Sequence, residues 1–546
     1  MMRTRTLFWL VFAVAPTFLF RPASLAGSEA AIRGVVRDTE GKPVRAALVK
    51  VNAGIKTITR LTGNDGRYEI AVPPGSYKVT ADAFGFAPRT QSRNAAAAGD
   101  TNFTLMRGID VRRLSSADIE SLLPDDKQAN LIKGTCILCH SLGFIERHAG
   151  DTAPSWEARL PKMADRGPNM DPVFSPTVIP DLAQALEKYF GPGAPYFGPD
   201  AEPPDPSQIK HARISDAALG ATIREYAVPD LEMTHSILAD SQGIAWFSEI
   251  GAGKVGRFDP ETETFKIITV PPASSMPHTG VQGKDGRIWY ALFGGSPAPK
   301  LVAIDPETYQ AKEYAFPEGA RWGTHTLAVD PEGNIWSSGK QVLRFDPKSE
   351  KFQSYETPVP SSYPEDSAGG REVVAGKPQP VLGFLYDVKV DSKGIVWLGQ
   401  FMTGSFIRLD PATGKTKVYK VPGVLSIRGL AVDGQDNVWV SNDQGHSLVE
   451  LDQTTEKITQ YYPPTHNAGV YGLVADKKTG DIWFSDFNGN NITRFSQKTQ
   501  EFTEYPIPTQ NAFPRYIGLD PRGRVWFTES WAGKIGVLDP GGAAGN

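Results

Sequence analysis

The feature that most limits what this 546-residue chain can become is a repeat in its last three-fifths. Segments such as THSILADSQGIAWFSEIGAGKVGRFDP, YDVKVDSKGIVWLGQFMTGSFIRLDP and RYIGLDPRGRVWFTESWAGKIGVLDP share one grammar. Each reads as an apolar strand, an Asp/Gly turn, a strand carrying a Trp, a second turn, and a strand ending near an acidic turn. The Trp residues fall at 246, 289, 336, 397, 439, 483 and 526, mostly 42 to 47 residues apart, the period of a four-stranded blade.

Seven copies predict a seven-bladed β-propeller over 214–546. The last copy ends after its third strand, and IREYAVP ahead of the first copy matches EFTEYPIP at 501–508. The missing fourth strand is therefore expected from the other end of the domain. First strands line the channel of a propeller, so the residue that opens each copy falls at one mouth. Counting back from each Trp gives His235, His278, His325, Tyr386, Arg428, Tyr471 and Arg515 as the candidate catalytic ring. Three of the chain's eight histidines thus occupy equivalent places in consecutive blades. Such a ring can bind an anion or run acid–base chemistry near neutral pH. Its plainer role is to hold channel water by hydrogen bonds. The stretch between Pro360 and Tyr386 is about eighteen residues longer than its counterparts, and loops of that length on a rigid scaffold act as lids or docking elements.

Ahead of the propeller the pattern changes three times. Residues 1–26 show Arg3 and Arg5, an apolar run from Leu7 to Phe20, and small residues ending at Ala26, the order of a secretory signal peptide. The mature protein is expected to be periplasmic or secreted, with no membrane span. Loss of Arg3, Arg5 and Arg21 takes the balance from 57 basic against 61 acidic residues to 54 against 61, a formal −7 that disfavours nucleic acid as a partner. Residues 27–108 alternate apolar positions (Val35, Val49, Val51, Tyr68, Ile70, Val79) between turn pairs at Glu40-Gly41, Asp65-Gly66 and Pro74-Gly75, predicting a small antiparallel β-sandwich. Residues 109–192 turn helical: SSADIESLLPDD opens on a Ser cap, and TVIPDLAQALEKYFG spaces Ile179, Leu182, Leu186 and Phe190 along one face. A Pro-rich linker follows over 193–213. The expected fold class is therefore multidomain and mainly β, with a small all-α domain between sandwich and propeller.

The helical segment contains the chain's only two cysteines, in CILCH at 136–140. A structural zinc site needs four ligands, a thioredoxin-like pair needs a βαβ setting, and a disulfide across three positions closes too small a loop to stabilise much. Two thiols in C-x-x-C-H of an exported protein match covalent haem c, with Cys136 and Cys139 forming thioethers and His140 as the proximal iron ligand. One haem c is expected. For the sixth position WEARLPKMADRGPNM offers Met163 first, then Met170, with His148 as a bis-His candidate.

Three family resemblances follow from these residues. CILCH with the W…M…G pattern at Trp156 and Met163 resembles class I cytochrome c, which implies electron transfer through a periplasmic redox partner. The order of strands and turns from 31 to about 107 resembles the carboxypeptidase regulatory-like domain, usually non-catalytic and often carbohydrate-binding-like. The blade wording G-x-x-W-F-x-E … K-[IV]-G-[RV]-[FL]-D-P looks like the virginiamycin B lyase family over about 215–540. Lyases of that family open a cyclic depsipeptide with a mouth histidine as base and carboxylates holding Mg²⁺. That resemblance implies Mg²⁺ at the propeller mouth. Here Met233, Met276 and Gly323 stand two residues ahead of the histidines where the family places its metal-binding Glu, and Glu249, Asp486 and Glu529 stand three after a Trp. The leading expectation is an exported haem c electron-transfer protein whose propeller binds or oxidises a small anionic or aromatic substrate. The alternatives are a virginiamycin B lyase-like enzyme and a non-redox binding module.

Overall fold

A computed structural model describes residues 30–138, 140–164, 177–230, 233–271, 274–293, 300–317, 324–339, 341–358, 371–374, 377–380, 384–401, 403–423 and 426–541. The proposed signal peptide at 1–26 lies outside these residues, as do Cys139 and Met170. Among the described residues no helix is long and apolar enough to cross a membrane.

The repeats fold as seven four-stranded antiparallel sheets. Their first strands contact one another in sequence order and the seventh returns to the first, which closes the ring. The closure is the one expected: β8 (Thr222–Ala227) pairs with Lys534–Asp539 as the fourth strand of blade 7. The repeated residues have physical reasons. Trp246, Trp336 and Trp439 donate their buried indole N–H to the Asp six residues earlier, Asp240, Asp330 and Asp433, each at 2.9 Å. A buried indole without a partner would be destabilising, so the turn acid and the Trp are kept together. The Gly of K-[IV]-G is a packing requirement: a Cβ on Gly256 or Gly536 would stand about 2 Å from the ring of Phe247 or Phe527 on the neighbouring strand.

The N-terminal unit is a sandwich of β1 (Ala30–Asp38), β2 (Leu48–Ala53), β3 (Lys56–Leu61), β4 (Arg67–Val72), β5 (Ser76–Asp82), β6 (Arg89–Asn94) and β7 (Phe103–Leu105). It departs from expectation in two ways. The β7 strand pairs parallel with β1, so the domain is not wholly antiparallel. More importantly, β3 pairs with β8 from Lys56↔Tyr226 to Arg60↔Thr222, giving one continuous eight-stranded sheet that runs from blade 7 into the sandwich. The outer edge of blade 7 is thereby covered, removing an exposed edge strand.

Between them lie α1 (Ser116–Leu122), α2 (Lys127–Thr135), α3 (Gly143–Glu146), α4 (Ala153–Ala164) and α5 (Ile179–Phe190). The predicted Ser cap is present: Ser115 and Asp118 form a reciprocal capping box on α1. Helix α5 buries Leu182, Leu186 and Phe190 as the spacing predicts, together with Ala183, Ala185 and Tyr189. The helices share one apolar cluster with Tyr386, Tyr471, Phe487, Phe513 and Tyr516 of the propeller, so this domain sits on the channel mouth. Of the long connection before Tyr386, a short hairpin is described, Arg371–Val374 paired with Lys377–Pro380; the rest of the expected lid lies outside the described residues.

Candidate functional site

The seven positions counted from the Trp residues do converge. The imidazoles of His235 and His278 lie 4.0 Å apart between ring centroids, His278 and His325 3.8 Å, and His325 and the Tyr386 ring 4.0 Å. The hydroxyls of Tyr386 and Tyr471 are 2.5 Å apart. Between them Arg428 donates from Nε to Asp443 at 2.5 Å and from Nη1 to the Tyr386 hydroxyl at 3.3 Å, its guanidinium 5.5 Å from the Tyr386 ring centroid and 5.3 Å from that of Tyr471. Arg515 is half-buried, and its charge acts on all three histidines.

Counting missed two parts of this arrangement. Tyr516 turns into the ring, 5.7 Å from His235 and 5.6 Å from Tyr471, although it sits one place after the counted position. A second-strand hydroxyl two residues after several of the Trp residues also fastens blade to blade. Ser248 donates to the His278 carbonyl (2.6 Å), Ser338 to that of Tyr386 (3.3 Å) and Thr528 to that of His235 (3.1 Å). The recurring Ser or Thr after Trp-x was the available signal.

The ring is closed rather than open. His235, His278 and His325 are 1%, 4% and 3% exposed. Burial, reinforced for His235 and His325 by the neighbouring imidazole, pushes all three well below the usual histidine range, His278 to about 3. They are uncharged at neutral pH, so among the described residues the fixed cation fully within the ring is Arg428, already paired with Asp443. The acids three after a Trp fasten loops: Glu249 accepts from the backbone N–H of Met233 (2.7 Å) and Gly251 (3.1 Å), and Asp486 from those of Gly469 (2.7 Å) and Gly489 (2.9 Å). Glu529 is fully buried, and its carboxyl is pushed up by burial and by the neighbouring Glu225. Among the described residues no group of three His, Cys, Asp or Glu is placed to hold a metal ion such as the Mg²⁺ expected at the mouth.

Of the CILCH segment, Cys136 and Ile137 lie in the apolar cluster shared with Tyr386, Tyr471 and Tyr516 of this ring. Cys136 follows the end of α2 and is buried in the shared cluster. His140 Nδ1 donates to the Ser141 carbonyl at 3.0 Å, and its imidazole lies 5.6 Å from Phe144. The helical domain is pinned to the propeller by Ser141, just after CILCH, which donates to Asn511 Oδ1 (2.6 Å), and through α1 by the Ala117 N–H to the Asn488 carbonyl (3.0 Å) and Asn488 Nδ2 to Glu120 (3.3 Å). Gly143 permits the approach, because a Cβ there would overlap the Asn511 amide. Of the donors expected for a covalent haem, Cys136 and His140 are described: the His140 Nδ1 is fixed on a backbone carbonyl, which leaves Nε2 free to ligate, and burial lowers the pKa of the imidazole. Met163 falls in the last turn of α4, its side chain outside the described residues. His148 instead lies edge-on to Trp156 at 5.8 Å and 3.9 Å from Asp151.

Residues 382–545 match the Virginiamycin B lyase family and residues 31–106 the Carboxypeptidase regulatory-like domain. The chain therefore carries a domain of each kind. No curated protein matches it. Among solved structures, a streptogramin B lyase is 21% identical, with 60% of this chain and 99% of that one covered at a TM-score of 0.51. A selenomethionine-substituted virginiamycin B lyase from Staphylococcus aureus is 19% identical, covering 58% and 99%, at 0.48. The first of these likenesses shows the propeller fold.

Proposed function

We propose that the chain is an exported c-type haem protein in which the helical domain carries one haem c and the propeller is the rigid seat on which that domain docks. Cys136, Cys139 and His140 would hold the group, with Met163, Met170 or His148 as the sixth ligand. Bound there, haem c supplies one-electron transfer, in exchange with a periplasmic redox partner. The observation that carries this reading is His140: its Nδ1 is fixed on the Ser141 carbonyl, and the Ser141 side chain is tied to Asn511 of the propeller. The chain's own residues orient the imidazole and exclude water from around Cys136, while the three ring histidines, neutral at pH 7, add no charge of their own. The sandwich acts as a brace through β3 and β8, with carbohydrate contact a secondary role. The test is expression in a host with haem maturation, followed by the visible spectrum and a haem stain of the denatured protein.

The comparisons favour a second reading, a lyase-like or non-redox binding module of the virginiamycin B lyase type, since residues 382–545 match that family. In that reading a mouth histidine acts as base beside Mg²⁺, and the helical domain has to move off the ring. Turnover of a streptogramin B that requires Mg²⁺ and not haem would establish it.

A further inference from the structure

A cleft of about 580 Å³ lies between the helical domain and blades 5 and 6, away from the ring. Its buried floor is Glu120, Leu123 and Ile137, the last being the residue after Cys136. Lys133 on α2 and Lys210 on the linker line it from different segments, Lys133 donating from Nζ to the Pro124 carbonyl at 3.3 Å; neither has an ion-pair partner among the described residues, and Asp125 lies on the same wall. His446 and His466 complete the wall from the propeller side.

One of these residues is held in a costly conformation. The position immediately before the third strand has a left-handed backbone in five blades: Gly253 (φ 60°), Gly404 (φ 62°), His446 (φ 57°), Asn490 (φ 60°) and Gly533 (φ 59°). Three blades use Gly and one uses Asn, the residues that adopt this geometry readily. Blade 5 alone of the five places a bulky side chain there, a strain of about 1 kcal/mol or more that a Gly would relieve. The His446 Nδ1–H donates to the Ala468 carbonyl at 3.1 Å, so the imidazole offers Nε2 as an acceptor. Asn467, beside it on the rim, is left-handed as well (φ 58°). Backbone strain at the wall of a cleft motivates a functional reading of the side chain it carries.

We infer that this cleft binds a hydroxylated organic carboxylate: Lys133 and Lys210 take the carboxylate, Leu123 and Ile137 the apolar body, and His446 Nε2 accepts a hydrogen bond from the hydroxyl. The volume is that of a small-molecule site. The inference is independent of haem loading, although a ligand here would lie directly behind the CILCH segment.

The test is isothermal titration of the full chain, with and without haem, using 4-hydroxybenzoate, benzoate and 4-hydroxybenzamide. The expected result is one saturable site at which 4-hydroxybenzoate binds at least tenfold more tightly than either analogue. A K133Q/K210Q double variant should lose that advantage over the amide. His446→Gly installs the residue of the sibling blades, so it should melt at the same or a higher temperature while binding 4-hydroxybenzoate no better than benzoate. Absence of saturable 4-hydroxybenzoate binding, or undiminished discrimination in a folded His446→Gly variant, would overturn the assignment. Because the titration reads binding on either form, its failure is distinguishable from failure to load haem.

Discussion

The two arcs of the buried ring share one backbone geometry and differ in how they meet the cost of burial. In the arc His235–His278–His325 successive imidazole centroids lie 4.0 and 3.8 Å apart with the rings tilted by 51° and 44°, and the Nδ1 atoms of His235 and His278 have no hydrogen-bond partner among the described residues. That arc avoids the penalty by remaining neutral. In the arc Tyr386–Arg428–Tyr471 a permanent charge is buried, held by Asp443 and flanked by two hydrogen-bonded phenols and their ring faces. The first arc is thus vulnerable to protons and the second to loss of a partner.

Four experiments break or sharpen that contrast. The largest effect is expected from Asp443→Ala, which removes the carboxylate facing the buried Arg428 charge; the folded state should lose about 3–5 kcal/mol in denaturant titration. Asp443 variants as stable as wild type would remove the distinction. Next comes acidification. The folded pKa values of the three ring histidines lie below the unfolded value near 6.5, so the unfolded chain binds more protons as pH falls. Stability present above pH 6.5 should drain away toward pH 3, by on the order of a few kcal/mol, and His278→Phe should flatten that slope.

Glu120, under the docked helices, has the opposite sign. Burial pushes its carboxyl up to about 8, so the folded state holds the extra proton and stability should fall as pH rises from about 4.5 through 8. Glu120→Gln should abolish that component, by up to a few kcal/mol, and a variant with the wild-type alkaline slope would show that the helices do not bury this group. The smallest change is Tyr471→Phe, which removes the phenol pair while Tyr386 keeps Arg428; about 1 kcal/mol is expected in the same titration.

Local pattern carried the blades and the ring because one rule recurs: an Asp to hold the Trp indole in most blades, a Gly to admit a Phe in blades 1 and 7, and a channel residue eleven or twelve places before the Trp. Tyr516 escaped because it stands ten places before its Trp, outside the counted rule, although its blade pairs in the same register as blade 1 (Gly518↔Trp526, Leu238↔Trp246). The helical elements were legible from Ser115 and the α5 stripe, yet their docking was not, since the Ser141–Asn511 and Asn488–Glu120 contacts join residues about 370 positions apart with no local signature. The eight-stranded sheet was hidden for a similar reason. Strand β3 has an ordinary alternating pattern, and nothing in it names β8 as a neighbour.

The most direct test of the central claim, that the domain seated on the ring holds haem c, is the visible spectrum of the full chain from a haem-maturing host, alongside Cys136→Ala. The account predicts covalent haem that survives denaturation in the wild type and loses its Cys136 thioether in the variant. A colourless wild-type protein with both thiols open to titration would contradict it.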